Sequence, residues 1–342
     1  MTKNVQGRAI FCIGLFIILI LPVTKPGAET AVHDTTTLGI ARDIWHDRYE
    51  SALGKISLII EREPSNPLGF FLRGSVYETI SEEYRNDSFN EEIMENLGQA
   101  ITLAREKMAV EPDNADWPFI CGAAYGYRGL YRAFHGGWWG AFQDGLRCSS
   151  NLKKSLGMDS TYYDAYLGLG AYHYYKTIKS KIFLWLPFVA DRREQGINEL
   201  QRCIESGYLA THNARESLLR IYFEEKKYER LVLLADSLET QIPDNPYCLL
   251  FYTYGLVELN RLDEALERLR KLRLLWNRSP YYDPIGLLEA EYLMAEILYR
   301  DGDLGAARVI IDKIISEGEA SNKNAYFEET LDKTKKLAKK IK

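Results

Sequence analysis

The sequence lacks most of the marks from which a function is read directly. Its 342 residues contain no H-E-x-x-H pair, no G-x-S-x-G elbow, no G-x-x-x-x-G-K-S/T loop and no dinucleotide-site glycine fingerprint after a strand. Cysteine is scarce, five in all, with no C-x-x-C spacing, which excludes a zinc module and a disulfide-dense scaffold. No cofactor or metal is therefore expected. There is no excess of positive charge: 43 Lys and Arg against 48 Asp and Glu leave a net −5 and no broad electrostatic footprint for nucleic acid. No apolar run reaches the ~20 residues a helix needs to cross a bilayer.

What is present is an ordinary folded composition, 46% apolar and 27% charged, with a marked aromatic excess of 23 Tyr, 13 Phe and 6 Trp. Eighteen of these rings fall between Trp117 and Phe188.

Residues 1–28 read as a secretory signal. Lys3 and Arg8 precede an apolar run from Ala9 to Leu21, Pro22 ends it, and Gly27-Ala28 offers small residues for cleavage. Pro26 stands where a small residue is preferred, so an uncleaved segment that contacts the membrane stays open as the alternative. Cys12 lies inside the apolar run, which argues against a lipoprotein signal. Losing Lys3, Arg8 and Lys25 takes the charge from −5 to −8. The expected location is the periplasm or cell envelope. Residues 29–37 read as a linker.

Beyond residue 37 the pattern is helical almost throughout, and it repeats. Asp47-Arg48-Tyr49-Glu50-Ser51-Ala52, Arg261-Leu262-Asp263-Glu264-Ala265 and Asp301-Gly302-Asp303-Leu304-Gly305-Ala306-Ala307 each give a turn, a large apolar residue and a small residue three positions on. The small position recurs at Ala52, Ala100, Cys148, Gly196, Leu231, Ala265 and Ala307, with Leu231 departing from the rule. Twelve residues beyond it, Pro64, Pro112 and Pro243 stop the helix. The next helix carries Gly74, Gly122 or Gly170, with Tyr77, Tyr125 or His173 three residues later.

This phrase resembles the tetratricopeptide repeat (TPR), in the form found in exported bacterial proteins, with several enlarged units. The resemblance implies an all-α, right-handed solenoid of about seven antiparallel helix pairs over residues 38–322, closed by a capping helix at 323–342 with a Lys-rich end. A cap is needed because the last repeat of a stack otherwise exposes its apolar face. The three 48-residue units have room for longer helices.

The resemblance also implies a concave face lined by the first helix of each pair. Carried over by register, its partner-binding positions are Asp116, Phe119 and Tyr127; Asp164, Tyr174 and Tyr175; Asn213, Glu216 and Arg220; Tyr247, Tyr254 and Glu258; and Glu289, Tyr292 and Tyr299. Tyrosine suits such a surface, joining a large apolar body to a polar tip. The alternative is that these rings fill space between long helices.

A second constellation lies in two neighbouring turns: Trp138 and Trp139 in one, Phe183, Trp185 and Phe188 in the other. Either they pack together as a satellite core, or they form an exposed edge that docks a partner. Cys121 and Cys148 fall on the two helices of one pair, where two buried thiols are expected and a disulfide is the alternative. His173 sits at a packing position, so no catalytic residue is assigned. The sequence thus points to a non-enzymatic scaffold binding a protein or peptide partner. A solute-binding accessory subunit of a transport system is the second reading and would need an enclosed polar–aromatic pocket. A hydrolase with an unrecognised site is the third.

Overall fold

The computed structural model describes residue 32 and residues 34–179, 190–320 and 325–341. The signal segment and the Phe183–Phe188 turn lie outside them. Fifteen α-helices and no strand occur among the described residues: α1 (Thr35–Trp45), α2 (Tyr49–Arg62), α3 (Pro67–Tyr84), α4 (Asn90–Val110), α5 (Asp116–Phe134), α6 (Trp138–Met158), α7 (Ala165–Lys179), α8 (Arg193–Ser206), α9 (Thr211–Glu224), α10 (Tyr228–Gln241), α11 (Pro246–Glu258), α12 (Leu262–Arg278), α13 (Pro284–Asp301), α14 (Leu304–Ala320) and α15 (Ala325–Lys340). Consecutive helices pack as seven pairs, α1/α2 to α13/α14, and α15 closes the stack against α13 and α14. The architecture is a TPR-like α-solenoid, as the repeat implies.

Local chemistry explains the punctuation. Before each of Pro64, Pro112 and Pro243 the backbone leaves the helical region: Glu63, Glu111 and Ile242 have φ between −128° and −135° and ψ between 66° and 80°, and the helix ends one residue earlier. Steric conflict with the proline ring forces this on the preceding residue. Asn66 and Asn245 then cap the next helices, their side chains accepting from the Leu68 and Cys248 amides at 3.0 and 2.7 Å. Every turn within a pair among the described residues carries one left-handed residue: Asp47, Arg85, Gly136, Lys226, Asn260 and Gly302.

The small positions are where helices touch. Ala52, Ala100, Cys148, Gly196, Leu231, Ala265 and Ala307 are all buried. Two helix backbones come close together at Gly170 of α7 and Gly196 of α8. A Cβ on either would stand 2.6–2.7 Å from the other's carbonyl oxygen, so no side chain fits there. The enlarged units take their extra length as helix: α3 to α6 have 18–21 residues, against 13–14 for α9 to α11.

The solenoid also closes on itself. The C-terminal end of α3 meets elements more than a hundred residues away. Trp276 Nε1 donates to the Glu83 carbonyl at 3.0 Å, and Asn86 Nδ2 to the Tyr281 carbonyl at 2.9 Å. Arg85 pairs with Glu289 at 2.8 Å, and Tyr326 of α15 reaches Ser81 at 3.4 Å. The second pair thereby sits against the last three, and the concave side becomes a deep, half-open hollow. Among the described residues, no helix is long and apolar enough to cross a membrane.

Candidate functional site

The hollow is a chamber of about 1980 Å³ lined from α1, α3 and each helix from α5 to α11. Nine of the fifteen concave positions face it: Phe119, Tyr127, Asp164, Tyr174, Tyr175, Asn213, Glu216, Arg220 and Tyr247. Tyr174 is fully buried despite reaching the wall, whereas Tyr175 is half-buried.

The other six positions do not line it, and the chain itself occupies most of them. Asp116 is buried and accepts from the Tyr162 hydroxyl at 2.5 Å. Tyr254 donates to Glu289 at 2.8 Å, and Glu289 also holds Arg85. Glu258 pairs with Arg300 at 3.1 Å. The C-terminal helix covers the rest. Lys333 lies 4.9 Å from the Tyr254 ring and Lys340 lies 5.8 Å from the Tyr299 ring, while Tyr292 packs beside Phe327. The capping helix thus lies along the concave side of the last two pairs.

Asp164 has structural work as well. Its carboxylate accepts from the backbone amides of Tyr208, Leu209 and Ala210 at 2.8–3.0 Å, anchoring the turn into α9. His173 is buried with Nδ1 2.6 Å from Glu199. Cys121 and Cys148 are free buried thiols. Among the described residues, no three His, Cys, Asp or Glu side chains converge as metal ligands do.

The charged heart of the chamber comes from a helix to which the sequence reading assigned no site residue. Glu78, Glu82 and Glu83 of α3 all line it, opposite Glu216 and Arg220 of α9. Glu82 accepts from Arg220 at 3.0 Å. Glu83 accepts from Tyr49 and, at 3.2 Å, from Asn245. Burial, reinforced by neighbouring carboxylates, pushes Glu78 and Glu83 well above the usual carboxylate range; burial also raises Glu82. Burial opposes the charge of Arg220, but Tyr175, Tyr247 and Glu82 around it hold its pKa high. The signal was present: the register that yields Phe119 and Tyr127, moved back 48 residues, yields Phe71, Ser75, Glu78 and Thr79, all four on the chamber wall.

The turn into α6 forms an aromatic rim. Trp138 is 51% and Trp139 72% exposed, Phe142 stacks on Trp139 at 6.0 Å, and Trp138 and Phe142 both border the chamber. Phe183, Trp185 and Phe188, the other half of the expected edge, lie outside the described residues.

No family model matches the sequence, and no curated protein does. Among solved structures, the chain is similar to the crystal structure of yeast Tom70 at 10% identity and a TM-score of 0.38, over 89% of this chain and 88% of that one.

Proposed function

We propose that the protein is a non-enzymatic TPR-like scaffold of the cell envelope, exported through its N-terminal segment, that holds a peptide segment of a protein partner in its interior chamber. The observation that carries this reading is the chamber itself, lined by concave-face residues of successive pairs. Its volume of about 1980 Å³ is roughly twice the upper end of ordinary small-molecule pockets, ~1,000 Å³, which favours a segment of several residues. The exposed Trp138 and Trp139 at its rim supply a second contact for the same partner, because exposed aromatic clusters favour docking.

A second reading is a solute-binding accessory subunit of a transport system. The specific support for it is the contact of the α3 end with α11, α12 and α13, which gathers the concave side into one deep hollow lined by both polar and aromatic side chains.

The test is capture of partners from the native envelope by the wild-type chain and by a Tyr175→Ala/Asn213→Ala double variant, with Trp138→Ser/Trp139→Ser run in parallel. These side chains are only partly buried, so the fold should survive. Loss of a specific protein from the chamber variant supports the scaffold. An unchanged set of partners in that variant sinks the chamber as the binding site.

A further inference from the structure

The chamber wall contains an anomaly that the fold does not explain. Glu78 is only 5% exposed, yet its carboxyl group makes no hydrogen bond and no ion pair among the described residues. Side chains this buried are overwhelmingly partnered within the fold, whereas the carboxyl oxygens of Glu78 keep contact with the cavity. A second such group stands on a different helix: Tyr247 of α11 is also 5% exposed and its hydroxyl makes no hydrogen bond among the described residues. The two share Glu82, Glu216 and Arg220 as electrostatic neighbours. Both line the cavity.

We infer that this part of the chamber binds a primary ammonium group, presented by a lysine side chain of a bound segment or by a free alkyl diamine. The inference deepens the proposed function and rests on it. On this part of the wall four carboxyl groups, Glu78, Glu82, Glu83 and Glu216, stand with Arg220, and Glu216 also lies 3.0 Å from His212. Arg220 is already engaged by Glu82 at 3.0 Å and Glu224 at 3.2 Å, and it stacks over Phe134 at 4.5 Å. An anionic ligand would meet the surplus carboxylates, and a neutral one would leave Glu78 without a partner. A divalent metal needs several oxygens converging on one point, and no such group occurs among the described residues. An ammonium group needs one carboxylate and a few acceptors. Its methylene stem then lies along rings such as Phe71, Tyr127 and Tyr175, whose faces also attract the charge.

The arrangement predicts a sign for pH. Glu78 is faced by Glu82 from its own helix, Tyr127 from α5, Glu216 and Arg220 from α9, and Tyr326 from α15. Burial holds its carboxyl above the usual range, so the empty chamber favours the protonated acid. An arriving ammonium favours the carboxylate and expels that proton. Binding therefore tightens as pH rises, approaching tenfold per unit if one proton is released.

The experiment is calorimetric titration of the whole chain with 1,5-diaminopentane, with capped Ala-Lys-Ala and with its norleucine isostere, between pH 5.5 and 7.5. Saturable binding of the diamine alone identifies a free amine as the ligand; binding of the lysine peptide identifies a partner side chain. In either case Glu78→Gln should weaken binding at least tenfold and abolish the pH dependence. Because Glu78 holds nothing in the fold, the variant should melt at or above the wild-type temperature, which separates loss of binding from loss of structure. Equal binding of the norleucine peptide overturns the ammonium site while leaving the chamber as a peptide site. No saturable binding by either amine, or an unchanged affinity in Glu78→Gln, also overturns the ammonium site. Failure of the chamber reading itself shows separately, as partners unchanged by Tyr175→Ala/Asn213→Ala.

Discussion

Single residues decide what the interior can do. The four cysteines of the repeat domain show how little chemistry some of them keep. Each is buried at a helix contact, and burial pushes the Cys121 thiol to about 11 and the Cys148 thiol to about 12, so neither forms thiolate near neutral pH. Cys203 and Cys248 are raised in the same direction by the same cause. Native protein should therefore leave these four unlabelled by an aromatic disulfide reagent, and all four should react in denaturant. Rapid labelling of any of them in the native state would contradict the burial. Their side chains serve as small apolar spacers.

At the scale of the element, the long fifth and sixth helices are joined by a charge cluster as well as by apolar contact. Asp144 is fully buried, and Arg128 grips both its oxygens at 2.8 and 2.9 Å while Arg132 adds a third bond at 2.7 Å. Both arginines come from α5 and the carboxylate from α6, so the cluster fastens the pair. Removing one partner of a buried ion pair strands the other, typically at ~3–5 kcal/mol. Arg132 is about a third exposed, and water will screen its share. Asp144→Ala should thus cost about 3 kcal/mol in denaturant unfolding, with Asp144→Asn costing less because it keeps an acceptor. A change below ~1 kcal/mol would show that the cluster is incidental. Nothing in the spacing of Arg128, Arg132 and Asp144 distinguished them from solvent-facing charges, because their burial depends on how two 19–21-residue helices cross.

For the whole molecule, the buried acids set the pH dependence of stability. Asp43 is held at about 2 by Lys55, Ser51 and Arg48 in spite of burial. A depressed carboxylate adds stability above its unfolded value near 4, lost as pH falls toward 2. Glu78, Glu82 and Glu83 act in the opposite sense, as does Asp47, raised to about 6. Their folded forms keep protons that the unfolded chain releases earlier, so stability falls as pH rises through their folded values. His135 is raised by Asp87 at 3.2 Å and by the Tyr131 carbonyl, against the effect of burial. Its contribution is present below the unfolded value near 6.5 and is lost as pH rises through the folded one. The signs combine to place maximum stability near pH 5. The melting temperature should drop by about 2 °C or more between pH 5 and pH 8, the shift that ~1 kcal/mol produces in a large domain. Glu78→Gln should flatten that slope, and a protein more stable at pH 8 than at pH 5 would refute the assignment.

The amino-acid sequence by itself determined the repeat: helix length, turn positions, small contact residues and proline stops are local, enforced by backbone sterics and by side chains three or four residues apart. The register also located nine of the residues that line the chamber, since a repeat carries facing as well as shape. Tertiary structure alone decided that the concave side is a deep hollow. Closure depends on how small rotations accumulate over seven pairs, which brings α3 against α11 to α13 and lays α15 over Tyr254, Tyr292 and Tyr299. The same closure makes Glu78, Glu82 and Glu83 part of the wall of a cavity, because burial and field belong to the assembled stack and not to any one helix.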